Sequence, residues 1–138
     1  MAFTPVSDLQ QLLASMSPVL NDGIYAYVMV ASDTDLRGLD YVGSMKEAEG
    51  LTLIVPEATA VERCWPVLFR CQWITLHVHS DLAAVGLTAA FASALGRAQL
   101  SCNVVAGACH DHIFVPAGRG DEAVQVLREL QQGSMPSQ

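Results

Sequence analysis

Charge is what this sequence has least of: 15% of its 138 residues are charged, against 51% hydrophobic. That balance excludes a disordered chain and supplies ample material for a packed interior, in one compact domain or two very small subdomains sharing a core. So little charge on so small a protein also implies that apolar surface is covered by a partner subunit, and a homodimer is expected. Basic residues are the scarcer sign, 7 against 14 acidic for a formal charge of −7. No stretch gathers them into a phosphate-tracking face, which argues against nucleic acid as a partner. No apolar segment reaches the roughly 20 residues of a membrane span. The opening MAFTPVSDLQQLL lacks the basic start and continuous apolar core of a signal peptide, so a cytoplasmic protein without membrane contact is expected. Cys64, Cys71, Cys102 and Cys109 form no CxxC pair and read as reduced, mostly buried thiols. A glycine-rich phosphate loop, a nucleophile elbow and a paired-carboxylate motif are also missing, so no catalytic residue and no cofactor is assigned.

What is present is regular periodicity. Ser7 is placed to cap a helix through DLQQLLASM, with Leu9, Leu12, Leu13 and Met16 at helical spacing and Pro18 and Asn21-Asp22-Gly23 as its stop. IYAYVMV at 24–30 and LTLIV at 51–55 read as strands, separated by a polar loop; PEATAVERCW reads as a short helix opened by Pro56. WITLHVH at 73–79 alternates cleanly, and Ser80 and Asp81 are cap candidates for a long helix through LAAVGLTAAFASALGRA. SCNVVAGA at 101–108 and HIFVP at 112–116 read as two strands joined by a tight turn near His110, followed by an amphipathic helix through GDEAVQVLREL. Trp65 and Trp73 are expected at the seam between the halves.

Residues 72–132 thus read β-α-β-β-α, a ferredoxin-like unit lacking its last strand, and the first half reads α-β-β-α. The expected fold is α+β: two ferredoxin-like βαββαβ-type units with antiparallel sheets, 1–68 and 69–138, sharing or exchanging strands.

The run ITLHVHSDLAAVGLTAAFASALGRAQLSCNVVAGACHDHIFVP, with MKEAEGLTLIVPE upstream, resembles the small stand-alone bacterial ACT-domain family of two tandem ACT-like units. It is similar in plan to the ACT modules of aspartate kinases and to the tandem-ACT arginine sensors of animals. The resemblance implies an allosteric module that binds an amino acid or related metabolite. With no residues left over for a catalytic domain, its output would pass to another protein.

Carried over by motif, the ligand turn is Ser80, Asp81, Leu82, Ala84, Val85, Gly86 and Leu87. A helix N-terminus offers unpaired N–H groups to a carboxylate, and Gly86 would permit close backbone approach. Asn103 is a candidate amide contact from the following strand. The plainer reading is an ordinary helix cap and a packing glycine. His77 and His79 end one strand while His110 and His112 flank Asp111 at the start of its antiparallel neighbour, so all four histidines would converge. Two alternatives stay open. A metal-dependent enzyme would use the four histidines, with Asp111 and Cys109 beside them, although no familiar zinc spacing is present; a purely structural dimerisation module would use none. The milder role for His77, His79, His110, Asp111 and His112 is to make binding or assembly depend on pH near neutrality. Glu47, Glu49 and Glu57 would favour a basic ligand if one of them reached the site, and otherwise form a solvated acidic turn.

Overall fold

A computed structural model describes residues 8–78 and 82–135 of the chain. Its first helix, α1 (Leu9–Ser15), is capped by Asp8, whose Oδ1 accepts from the Gln11 N–H at 3.0 Å. The cap expected at Ser7 lies outside the described residues. Strand β1 (Ser17–Leu20) follows where the sequence suggested only a helix stop. Next come β2 (Tyr25–Val30), β3 (Gly43–Glu47), β4 (Gly50–Pro56), α2 (Glu57–Glu62), β5 (Phe69–His77), α3 (Leu87–Arg97), β6 (Asn103–Ala106), β7 (Asp111–Pro116) and α4 (Gly120–Gly133).

The strands form one antiparallel sheet in the order β3-β4-β2-β5-β7-β6, with β1 paired to β5 beside β2. Two ferredoxin-like units are visible in this order, and they share β5. Its first part, Phe69 to Cys71, pairs with β2 and supplies the last strand of the first unit. Its second part, Ile74 to His77, opens the second unit and pairs with β1, which closes that unit's sheet from the N-terminal side of the chain. The strand missing from each half of the sequence is thus lent by the other half. Among the described residues no helix fills the β2–β3 connection of the first unit, where 31–42 runs as turns.

Alternation sorts side chains to two faces. Register places Ala26 beside Arg70 and Tyr25 beside Cys71, so both helical cores lie on one face of the sheet. The larger core joins Leu12 and Met16 of α1, Ile74 and Leu76 of β5, Phe91 and Leu95 of α3, Ile113 and Val115 of β7, and Leu127 of α4. The smaller joins Ala26, Val28, Leu53, Val55 and Ala60, with Trp65 against it. Trp65 therefore packs within the first unit rather than at the seam, and Arg63 lies over its ring. Trp73 does sit on the shared strand, in a layer of rings on the opposite face: 5.4 Å from Tyr25 and 6.3 Å from Phe114, with Tyr27 5.7 Å from Phe114. Cys71 is buried beneath this layer, which pushes its thiol up to about 12. Cys64 and Cys109 are exposed, against the expectation of mostly buried thiols.

Gln72 ties the sheet to α4. Its Oε1 accepts from the N–H groups of Gly118 at 2.9 Å and Gly120 at 2.8 Å, satisfying donors that the helix start leaves without intrahelical partners. A Cβ at Gly120 would lie 2.8 Å from that amide and from Leu20 Cδ1, so a larger residue there would push both side chains aside.

Candidate functional site

Antiparallel pairing brings the end of β5 beside the start of β7, with Thr75 opposite His112 and Leu76 opposite Asp111. On its other edge β7 meets β6, Ala106 opposite Asp111. The connection is a tight turn in which the Gly107 N–H donates to the His110 carbonyl at 2.9 Å. A Cβ at Gly107 would come within 2.9 Å of that oxygen and 3.2 Å of His112 Nε2, so the turn closes only on glycine.

This turn faces the segment that enters α3. Between them lies a small cavity of about 60 Å³, partly open to solvent, lined by Leu82, Ala84, Leu87 and Thr88 on one side and by Ala106, Gly107, Cys109, His110 and Asp111 on the other. The helix begins at Leu87, not after Ser80 and Asp81, because Gly86 holds a left-handed φ of 100° and turns the chain before it. The N-cap of α3 is Gly86, which has no side chain to offer, and the first helical residues, Leu87 and Thr88, are cavity walls. Ser80, Asp81 and His79 lie outside the described residues.

Three of the proposed ligand-turn residues, Leu82, Ala84 and Leu87, line the cavity, whereas Val85 and Gly86 do not. Val85 is 85% exposed. The space next to Gly86 is filled by α1, since a Cβ there would lie 3.2 Å from Leu9 Cδ2. Asn103 is not brought to the cavity either. It stands at the far end of β6, opposite Phe114, and its amide donates to the Phe114 carbonyl at 3.4 Å.

The histidine-aspartate-histidine trio is split by the pleat of the strand. Asp111 shares the helix face with Ile113 and Val115, while His112 shares the ring face with Phe114. His112 Nδ1 accepts from the Trp73 indole N–H at 3.0 Å. Burial, with His110 and His77 nearby, holds the imidazole below the ordinary histidine range although Asp111 opposes this. His77 and His110 do meet, ring centroids 4.4 Å apart. Among the described residues, no three of His, Cys, Asp and Glu are grouped so as to hold a metal ion.

Asp111 is 9% exposed, and burial raises its carboxyl above the usual carboxylate range, with His112 and His110 opposing the rise. His110 Nδ1 is buried and has no hydrogen-bond partner. The acidic side chains of the first half take no part: Glu47 accepts from the Thr52 hydroxyl, Glu57 pairs with Arg70, and none of Glu47, Glu49 and Glu57 lines the cavity. Sequence reasoning passed over Thr88, Ala106 and Gly107. The signal was available, since the antiparallel argument that joins β5 to β7 also brings the β6–β7 turn to that end of the sheet.

Comparison with known proteins agrees with this architecture. Residues 4–72 and 68–129 each match a model of the ACT domain. A solved Vibrio cholerae protein of unknown function, described as a possible transport protein, is 42% identical, with 90% of this chain and 96% of that one covered at a TM-score of 0.82. The regulatory subunit of Thermus thermophilus aspartate kinase superposes at a TM-score of 0.59 with 10% identity, covering 82% of this chain and 95% of that one. An Agrobacterium tumefaciens protein does so at 0.64 with 13% identity, covering 84% and 89%. No curated protein matches the sequence. With a shared strand uniting two such units, the chain belongs to the ACT-domain family and carries two ACT domains in tandem.

Proposed function

We propose that this protein is a non-enzymatic cytoplasmic regulatory module that binds an amino acid or a closely related metabolite in the cavity between the start of α3 and the β6–β7 turn. Its units are the segments 1–68 and 69–138, each completed by a strand of the other, and it acts as a homodimer on a protein partner. The observation that carries the reading is the cavity itself, where the first turn of α3, opened by a glycine, faces a buried carboxylate across walls that are part apolar and part polar. Free N–H groups at a helix start suit a carboxylate, and Leu82, Ala84, Leu87 and Ala106 suit an aliphatic body. The ligand turn is 80–87, of which Leu82, Ala84 and Leu87 are the described cavity members, and Thr88 joins them at the helix start. A ligand that fits one packing of the subunits better than another shifts the balance between them by its difference in affinity, and this is the regulatory output.

Thermal denaturation across the twenty amino acids and a set of divalent metals tests the reading. Any ligand that prefers the folded state raises Tm in proportion to the logarithm of its concentration once above Kd. Ala106 is exposed and lines the cavity, so Ala106→Leu should fill the space, leave Tm of the free protein nearly unchanged and abolish the response. A response to zinc alone would overturn the proposal in favour of a metal site, and no response to any compound would favour a purely structural module.

A further inference from the structure

The cavity has one chemical bias that its shape alone does not reveal. Asp111 is the one acidic side chain among the buried described residues, and buried carboxylates ordinarily face a cation or several N–H donors. Asp111 has neither among the described residues: the three ion pairs are Arg37 with Asp35, Arg70 with Glu57 and Arg119 with Glu122, all elsewhere. Among the described residues the titratable neighbours of Asp111 are His110, which shares the cavity wall with Cys109 and has His77 at 4.4 Å between ring centroids, and His112, adjacent in sequence but on the other face of the sheet. Among the described residues no Lys or Arg lines the space. His110 lines the same wall, but its Nδ1 is enclosed and closed to a molecule in the cavity, so the carboxylate is the group that faces the space. A carboxylate in the cavity wall, with no Lys or Arg beside it among the described residues, makes a receptor for a positively charged hydrogen-bond donor.

Building on the amino-acid reading above, we infer that Asp111 is the anchor for a protonated primary amine, so the cavity selects small ammonium compounds with an apolar body. A metal ion fits less well, because among the described residues Cys109, His110 and Asp111 line the wall without being grouped so as to hold one. An ammonium group has three N–H donors, of which one carboxylate can accept two while water at the open side of the cavity takes the third. The same anchor explains why an uncompensated carboxylate is retained at a place where its burial opposes ionisation. Binding supplies the missing partner, and the group is pre-set for it.

The test uses the full-length protein and matched compounds. For each amino acid that raises Tm, the amine lacking its carboxyl group and the acid lacking its amino group are titrated by calorimetry: for leucine, 3-methylbutylamine and 4-methylpentanoate. The amine should bind and the acid should not. Asp111→Asn should weaken binding of the amine and of the amino acid about 30-fold or more, while the free variant melts no lower than the parent. If the acid binds as well as the amine, or if Asp111→Asn binds unchanged, the ammonium anchor is wrong; loss of binding in Ala106→Leu would then still leave the cavity as the site. Silence across every compound, or a response to zinc chloride alone, would sink the anchor and the amino-acid reading together.

Discussion

Removing the acceptor on Gln72 should loosen α4 from the sheet, and the size of the effect follows from two hydrogen bonds. Gln72 Oε1 receives the N–H groups of Gly118 and Gly120 at 2.9 and 2.8 Å. Gly118 is exposed, so water can replace its partner; Gly120 is buried and has no such recourse. Gln72→Leu, close in volume but without an acceptor, therefore loses a helix cap and leaves one buried donor unmet, about 1–2 kcal/mol in total. At about 4 °C per kcal/mol for a chain of this size, Tm should fall by roughly 4–8 °C. Gln72→Glu keeps an acceptor in the same place and sets a negative charge at a helix start, which the helix dipole favours. Asp121 and Glu122 in the first turn oppose that gain, so Gln72→Glu should match the parent within about 0.5 kcal/mol at neutral pH. Urea denaturation of the three proteins, fitted with a common m value, reads the differences directly. If Gln72→Leu proves as stable as Gln72→Glu, the amide is not the cap, and the glycine at 120 needs another explanation.

Two further outcomes follow from burial. Burial raises the Asp111 carboxyl in the folded state, so its contribution to stability is fully present below the unfolded-state pKa and is lost as pH rises through the folded value. Asp111→Asn should therefore be more stable than the parent at pH 7, with the gap closing as denaturation is repeated towards pH 3; a gap that widens in acid would refute the assigned direction. Phe91 is fully buried in the larger core, and Phe91→Ala should lower the unfolding free energy by about 3–5 kcal/mol in the same urea assay, a loss under about 1 kcal/mol showing that α3 does not anchor the core.

The sequence announced those elements whose side-chain period is strong and whose packing is two-sided. IYAYVMV, LTLIV and HIFVP became β2, β4 and β7, and Ala123, Val124 and Leu127 form the buried stripe of α4 as their spacing required. Exchange of strands was also legible, because each half lacked one. What escaped notice were edges and turns. Strand β3 is GSMKE with four of its five residues exposed, so no apolar alternation marks it. Strand β1 is only SPVL, and its proline reads as a helix stop although a strand bordered on one side can accommodate it. The start of α3 was misplaced by propensity: LAAVG is rich in alanine, but the left-handed φ of Gly86 and its packing on Leu9 outweigh that tendency. At the site, His110, Asp111 and His112 were correctly singled out as meeting the end of β5. Their division between two faces follows from β7 beginning at Asp111, a boundary of one residue that composition does not reveal.

The shared strand sets how one half of the molecule can move against the other. Over nine residues β5 spans about 30 Å, held along one edge by two different neighbours in succession and along the other by β7. Sliding it by a single residue would invert the faces of both units at once, expelling Ile74 and Leu76 from one core and Cys71 from the ring layer. The units therefore have no independent sliding or hinge motion along this strand; they twist together or melt together. A load applied where β5 ends, beside the cavity, is borne as tension along one continuous backbone that reaches β2, and any response of the first half to an event in the second is the bending of a single beam.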